Sequence, residues 1–343
     1  MELAPINTDI VHQIKNIIEQ ARNNVTLTIN NELLHSYWQI GKLIADNEQA
    51  SVLNETTARS YILTLSKTLS KEFGRGFSRS NLFNMRNFYL NYSDVQTLSG
   101  QLSWSHYCEL LAVSDKDARS FYEKECLNAH WSIRELRRQI SSALFQRLLL
   151  SDGKPNKEKV LELAKHGQII KEPEDIIKDP YVLEFLGVPE PKAIKESDLE
   201  KKLVERIEDF LLELGRGFMF VGTQQRVTVN NTHYYVDMVF FNKILKAYVL
   251  IDLKIGKFQP ENAGQMNTYV NYYKTEVNEP EDNPPIGIIL CADRDEVVAE
   301  FALGGLENQI FASKYTYFIP DKEQLIKQIE DVLEQNSQKY EEF

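Results

Sequence analysis

The residues best placed to do chemistry stand in one short run, Tyr248-Val-Leu-Ile-Asp252-Leu-Lys254-Ile-Gly256. It reads as a buried β-strand, and alternation puts Asp252 and Lys254 on one side of it, about 7 Å apart along the strand. Val249, Ile251, Leu253 and Ile255 point the other way. Burying two opposite charges costs free energy unless pairing or function offsets it. A second carboxylate, Asp237, stands among apolar neighbours in the preceding strand, Tyr234-Tyr-Val-Asp237-Met-Val-Phe-Phe241. Antiparallel strands joined by a short turn can bring Asp237 and Asp252 together at one end of the hairpin. Carboxylates that close repel; a hard divalent cation removes the repulsion, and oxygen ligands with retained waters suit Mg²⁺. Lys254 can orient or help deprotonate an attacking water and stabilise charge on a phosphate. That equipment suits phosphodiester hydrolysis. The alternative is a buried salt bridge between Lys254 and one aspartate, which leaves the second carboxylate unexplained. Similar acid-x-lysine triplets occur at Asp152-Gly-Lys154, Glu190-Pro-Lys192 and Glu200-Lys-Lys202, none of them on an expected strand.

The elements that must position these residues follow an α/β order from residue 196. Glu196 to Leu214 reads as an amphipathic helix with Leu199, Leu203, Ile207, Leu211 and Leu214 on its stripe. Strands are expected at Phe218–Val221, Gln225–Val229, Tyr234–Phe241 and Lys246–Ile255, the last three as a meander across Asn230-Asn231 and Asn242-Lys243. A helix over 260–275, a strand at Ile286–Cys291, a helix over 294–302, a strand at Tyr315–Ile319 and a helix from Asp321 to about Gln335 complete the chain.

Residues 1–150 read as a separate helical domain, and 151–195 as a linker with short helices at 157–165 and 180–186. Gly153, Pro155, Gly167, Pro173, Pro180, Gly187, Pro189 and Pro191 punctuate that linker. Ile6, Ile10, Ile14, Ile17 and Ile18 form one helical stripe, and Leu33, Tyr37, Ile40 and Ile44 another. A helix over Thr57–Phe73 is stopped by Gly74-Arg-Gly76, and Ser78 or Ser80 can cap the next. Further helices are expected near 104–112, 115–128 and 132–149. Helix, glycine turn, helix is the geometry of a helix-turn-helix reader, and also simply how helices pack.

The chain has 343 residues and a formal charge of -11, which argues against indiscriminate coating of nucleic acid. The charge is uneven: residues 1–150 hold 16 Lys/Arg against 15 Asp/Glu, and the rest hold 23 against 35. Basic residues of the first half cluster at Lys71, Arg75, Arg79 and Arg86, and again at Arg134, Arg137 and Arg138. They read either as local docking points for nucleic acid or as solvated helix faces. Three scattered cysteines argue against a disulfide framework or a cysteine zinc site. No membrane-spanning run or leader-like N-terminus is evident, so a cytoplasmic protein with no membrane partner is expected.

Asp237 followed by Asp252-x-Lys254 resembles the core of the P-D-(D/E)-x-K nuclease superfamily of restriction enzymes and RecB-type exonucleases. Glu200-Lys-Lys-Leu203-Val-Glu-Arg-Ile207 resembles the acidic first-helix motif of such nucleases, with Glu205 in reserve. Gln265-Met-Asn-Thr-Tyr269 resembles the Q-x-x-x-Y motif of the RecB-like branch. Phe210-Leu-Leu-Glu-Leu-Gly-Arg-Gly-Phe218, Phe220-Val-Gly-Thr-Gln224 and Asp252-Leu-Lys-Ile-Gly256 with Gly264-Gln-Met266 are similar to the bacterial YhcG-like nuclease family. Tyr37-Trp-Gln-Ile-Gly41, Phe73-Gly-Arg-Gly-Phe-Ser78, Leu102-Ser-Trp-Ser-His-Tyr107 and Trp131-Ser-Ile-Arg-Glu-Leu136 resemble that family's N-terminal domain of unknown function. Val236 replaces the motif's proline, and Asp252 stands where many relatives have glutamate.

The resemblance implies an α+β protein: an all-α, winged-helix or helix-turn-helix-like N-terminal domain, then an α/β restriction-endonuclease-like domain over 196–343 with an αβββαβ core. It implies a Mg²⁺-dependent nuclease acting on DNA, with Mn²⁺ as substitute, and a role in DNA processing, mobile elements or bacterial defence. Asp237, Asp252 and Glu200 would hold metal, directly or through water. Lys254 would act on the water or the developing charge. Gln265 and Tyr269 would position the water, Lys254 or the phosphate. Lys257 would touch the substrate backbone. The alternatives are an RNA-directed nuclease, and a nucleic-acid-binding or partner-recruiting protein with a vestigial nuclease fold; a homodimer would supply two sites for two strands. Among other residues, His233 reads as an exposed turn-proximal histidine, and Tyr234, Tyr235 and Tyr248 as core. Trp38, Trp104 and Trp131 read as packing residues of the helical domain.

Overall fold

A computed structural model describes residues 8–50, 55–92, 98–150, 157–188, 195–307 and 309–341. Ile6, Gly153, Pro155, Pro189 and Pro191, and the triplets at 152–154 and 190–192, lie outside those residues. The chain divides into two compact units, one of residues 1–119 and 126–136, the other of 120–125 and 137–343.

The described part of the first unit is helical, with no strand among its described residues. The described residues of the two N-terminal stripes belong to one 43-residue helix, α1 (Thr8–Ala50). Ile44 and the partly buried Tyr37 and Ile40 pack with Ile62 of α2 (Glu55–Phe73) and Leu82 and Met85 of α3 (Arg79–Asn91). Gly41 permits this approach, since a Cβ there would run into the carbonyl of Met85. The earlier stripe stays open: Ile10, Ile14, Ile17 and Ile18 are 45–65% exposed. Ser78 caps α3 by accepting from Asn81 N. Trp104, the first residue of α4 (Trp104–Leu111), donates from Nε1 to Asn81 Oδ1 and packs edge-on against Phe88. α5 (Lys116–Ala129) follows, and the expected 132–149 helix is two, α6 (Ile133–Ser141) and α7 (Leu144–Leu150), broken where Ala143 takes φ 52°; from residue 137 on they count with the second unit.

The second unit is built on a six-stranded mixed sheet in the order β1-β6-β5-β4-β3-β2. β2 (Phe218–Val229), β3 (Thr232–Asn242) and β4 (Ala247–Lys257) form an antiparallel meander. β4, β5 (Ile286–Asp293), β6 (Gln309–Thr316) and β1 (Tyr181–Val182) run parallel. The two strands expected at 218–229 are one, with a register shift between Phe220 and Gly222. The helix expected over 196–214 is two, α9 (Glu196–Glu205) and α10 (Ile207–Leu214), separated at Arg206. Their Leu199, Leu203, Phe210 and Leu214 share a core with Val249, Ile251 and Leu253 of β4. The other sheet face carries α11 (Pro260–Tyr272), whose Met266, Tyr269 and Val270 share a core with Leu250 and Ile289. Gly287 of β5 lets α11 sit that close, because a Cβ would collide with Met266. α12 (Glu296–Leu303) and α13 (Lys322–Glu341) follow.

The stretch read as a linker does structural work where it is described. α8 (Lys157–His166) lies within it, where a helix is expected. The helix expected at 180–186 is instead β1 and a 3₁₀ turn over Glu184–Leu186. Ile176, Ile177, Tyr181, Leu183, Leu186 and Val188 join the core beneath α9 and α10. Prolines and glycines there mark turns of a packed segment, and the apolar residues between them are the stronger signal.

Candidate active site

The site forms where β3 and β4 part. Met238 and Ile251 make the last paired rung of the two strands. The next rung would set Asp237 opposite Asp252, but the backbones no longer pair there. The Asp237 carboxylate takes over, Oδ2 accepting from Leu253 N at 2.8 Å. The free end of a ladder is thereby satisfied by a side chain that stays at the site.

β3 also turns over at this point. Met238 and Phe240 face the core under α9 and α10, whereas Val236 faces the core under α11. Asp237 lies at the change of face. Opposite it in β2, Gln224 adopts φ 48°, a left-handed conformation that costs a non-glycine residue about 1–3 kcal/mol. Irregularities of this kind re-aim side chains beside functional sites. Gln224 uses its position: Nε2 donates to Glu200 Oε2 at 2.8 Å and to Asp237 Oδ1 at 3.1 Å. One amide thus bridges two carboxylates from different elements.

Asp252 is 1% exposed, with Lys254 Nζ 2.7 Å from its Oδ2. Burial pushes its carboxyl up to about 6, outweighing the pull of Lys254, and Asp237 and Glu196 push the same way. Burial opposes the Lys254 charge, yet Asp252, Glu196 and Asp237 together hold that ammonium above its ordinary value. Glu196 Oε1 lies 3.6 Å from Lys254 Nζ, so the lysine is held between β4 and the first turn of α9. Burial, then the charges of Asp237 and Glu196, raise Glu200 as well, against its bond from Gln224.

Gln265 and Tyr269 meet one helical turn apart, as their spacing requires. Gln265 Nε2 donates to Tyr269 OH at 2.6 Å, and that hydroxyl donates to Tyr235 O at 3.0 Å. The pair braces the backbone of β3 two residues before Asp237; none of the bonds found for it goes to a carboxylate of the site. Tyr315 OH donates to the Lys254 carbonyl at 3.2 Å, bracing β4 from β6.

Four acidic groups, Glu196, Glu200, Asp237 and Asp252, therefore gather around one ammonium and one amide. Among the described residues no three Asp, Glu, His or Cys side chains close on a common point as a finished metal cage. The donor set is nevertheless hard oxygen, and the nitrogens of Lys254 and Gln224 lie where positive or partly positive charge is needed. A Mg²⁺-sized ion usually takes only one or two carboxylates and keeps its waters, which this set can supply.

Sequence reasoning missed Glu196 and Gln224. Glu196 is one helical turn from Glu200 and shares its face, a signal legible in α9. Gln224 becomes visible only once β2 is laid in register against Asp237.

The basic residues divide. Arg138 is corrected: it is tied to Glu184 at 2.8 Å and Glu213 at 3.1 Å and donates to Val182 O, so it is a structural residue of the second unit. Arg86 is ion-paired with Glu48. Arg79 lies over the Phe83 ring at 5.7 Å and is exposed, as are Arg75, Arg134 and Arg137. Lys257 lies 3.7 Å from Asp295 Oδ2, the N-cap of α12, rather than at the carboxylates. The expectation that Tyr234 and Tyr235 are core residues is also corrected: they are 38% and 49% exposed, because β4 no longer pairs with β3 at that level. Tyr248 is half-buried against Tyr273 and Phe241.

Residues 174–331 match the family described as the YhcG PDDEXK nuclease domain, and residues 13–147 match the DUF1016 N-terminal domain. The chain is 36% identical to YhcG of Escherichia coli (strain K12), a protein whose name provisionally assigns it as a nuclease; the match covers 94% of this chain and 92% of that one. A repair endonuclease from Pyrococcus abyssi is similar over 35% of this chain and 46% of its own, at 20% identity and a TM-score of 0.27. No helix of the described residues is long and apolar enough to cross a membrane.

Proposed function

Since the chain belongs to the YhcG family of PDDEXK nucleases, we propose that it is a Mg²⁺-dependent phosphodiesterase that hydrolyses the backbone of DNA. The observation that carries this reading is the meeting of Asp237 and Asp252 at the parted end of β3 and β4, with Lys254 2.7 Å from Asp252. Asp237 and Asp252 would hold the ion, with Glu200 joining directly or through water, and Mn²⁺ would substitute. When bound, the ion supplies Lewis acidity at a phosphoryl oxygen and lowers the pKa of water. Lys254 holds positive charge where a phosphate gains negative charge, and Glu196 keeps that ammonium aimed into the site. Gln224 keeps Glu200 and Asp237 side by side despite their repulsion. Gln265 and Tyr269 act one layer out, fixing the strand that carries Asp237. Arg75, Arg79, Arg134 and Arg137 are the remaining candidates for docking on nucleic acid.

The test is cleavage by the purified full chain of matched single- and double-stranded DNA and RNA, with Mg²⁺, Mn²⁺ or chelator. DNA cleavage that requires the ion and disappears in Asp252→Ala and Lys254→Ala is the expected result. Cleavage that survives both substitutions would sink the assignment. Cleavage confined to RNA would transfer the same chemistry to an RNA target. Salt-sensitive DNA binding with no ion uptake in calorimetry would mark a binding protein.

A further inference from the structure

Beyond the carboxylates, β2 and β3 continue together as a two-stranded ribbon. β3 pairs with β4 only over Met238–Asn242, whereas it pairs with β2 as far as the Val229–Thr232 rung. One face of the ribbon is covered. Val227 and Val236 are fully buried in the core that holds Met266 and Tyr269, and the Tyr234 ring lies 6.5 Å from that of Tyr269. The opposite face is open and carries three cross-strand pairs in order: Gln224 with Asp237, Arg226 with Tyr235, Thr228 with His233. The last pair is joined at 3.0 Å between Thr228 Oγ1 and His233 Nδ1. A row of side chains therefore leads away from the carboxylates in steps of about 7 Å.

The charge on this ribbon is unlike that of the half-chain around it. Residues 151–343 hold 23 Lys/Arg against 35 Asp/Glu, a surface that repels a polyanion. From Phe218 to Asn242 the only Asp, Glu, Lys or Arg residues are Asp237 at the site and Arg226. Arg226 is exposed and has no ion pair among the described residues. Across from it Tyr235 presents an aromatic side chain 49% exposed, on a backbone held by Tyr269 OH. An exposed guanidinium beside a braced aromatic, with polar neutral residues onward, matches a phosphodiester strand better than any other macromolecular surface.

We propose that the open face of the β2–β3 ribbon is the track for the nucleic-acid strand flanking the cleaved phosphate. Arg226 takes a phosphate beside the scissile one, and Tyr235 packs on the adjoining sugar or base. This rests on the phosphodiesterase reading, and its test separates the two.

Binding of the full chain to a fluorescent 20-nucleotide DNA, single-stranded and duplex, is measured by anisotropy in chelator across a salt series. Arg226→Ala weakens binding about tenfold and lowers the salt slope by about one. Tyr235→Ala weakens binding about five- to tenfold and leaves the slope unchanged. Lys243→Ala, at the opposite end of β3, changes neither. In cleavage assays both ribbon variants raise KM by a similar factor and keep kcat, and melting curves like the wild type's exclude misfolding. Wild-type affinity and slope in both variants would overturn the track, as would failure of the wild-type chain to bind either DNA. If the wild-type chain cleaves while the variants keep its KM, the track fails and the phosphodiesterase stands. If it binds through Arg226 and Tyr235 but never cleaves, the reverse holds.

Discussion

Lys254 Nζ lies 2.7 Å from Asp252 Oδ2, with only 2% of the aspartate side chain exposed. The strand rises from a core of Val249, Ile251 and Leu253 and places this pair beside the parting of β3 and β4. Replacing the ammonium with an apolar group of similar length keeps the packing and deletes the charge. Lys254→Met is expected to lower the single-turnover cleavage rate by about 10²–10³-fold, the scale of losing one preorganised charge-stabilising donor. A rate within threefold of wild type would place the charge stabilisation elsewhere.

Gln224 gives one amide to two carboxylates. Gln224→Leu removes both bonds and leaves Glu200 and Asp237 facing each other unbridged. Affinity for Mn²⁺, read by calorimetry on the otherwise intact protein, is expected to fall about 10–100-fold, as for other residues that orient ligands. An unchanged affinity would reduce Gln224 to a surface residue.

Tyr269 OH joins α11 to the Tyr235 carbonyl. Tyr269→Phe keeps the ring in its core and deletes this bond and the acceptor for Gln265. Urea unfolding is expected to show a loss of about 1 kcal/mol. The cleavage rate should fall with KM unchanged, since the hydroxyl donates to the β3 backbone. A raised KM at constant rate would instead put Tyr269 in contact with DNA.

Glu213 lies 2.6 Å from Arg147 Nη1, both side chains fully buried, and also pairs with Arg138 and accepts from Lys178 Nζ at its carbonyl. Burial opposes its charge, but Arg147, Lys178 and Arg138 more than offset that and hold the carboxyl down at about 2. The folded pKa lies below the ordinary 4.5, so the unfolded chain binds more protons between those values. The stabilisation is complete above about pH 4.5 and fades as pH falls toward 2. Glu213→Gln is expected to cost about 3–5 kcal/mol at pH 7, because two guanidinium groups lose a buried partner. The variant should also lose much of the acid-dependent part of the wild type's urea midpoint between pH 4.5 and 3. Parallel midpoints for both proteins over that range would contradict the assignment.

Much of this protein is local and therefore written in the chain. Short apolar runs rich in β-branched and aromatic residues mark β3 and β4, and the 3.6 period marks α9 through α11. The spacing from Asp252 to Lys254 places both on one side of a strand, and four residues join Gln265 to Tyr269 in a direct bond. Composition also shows that the acidic charge is concentrated in the second half.

What depends on distant pairing was settled only by the tertiary structure. Gln224 reaches the site because β2 is laid against β3 in a register that sets it opposite Asp237, with its backbone forced to a positive φ. Arg138 looks like a docking residue in a basic cluster, yet Glu213, 75 residues away, draws it into a buried network. The apolar stripe at Ile10–Ile18 has helical spacing, but no described element covers it. Periodicity tells which side of an element is apolar and says nothing about what will face that side. Hydrogen bonding and ion pairing across the fold decide the partner. In the site itself, the chain supplied Asp252 and Lys254 on one strand, and the change of face in β3, where it parts from that strand, decided how Asp237 meets them.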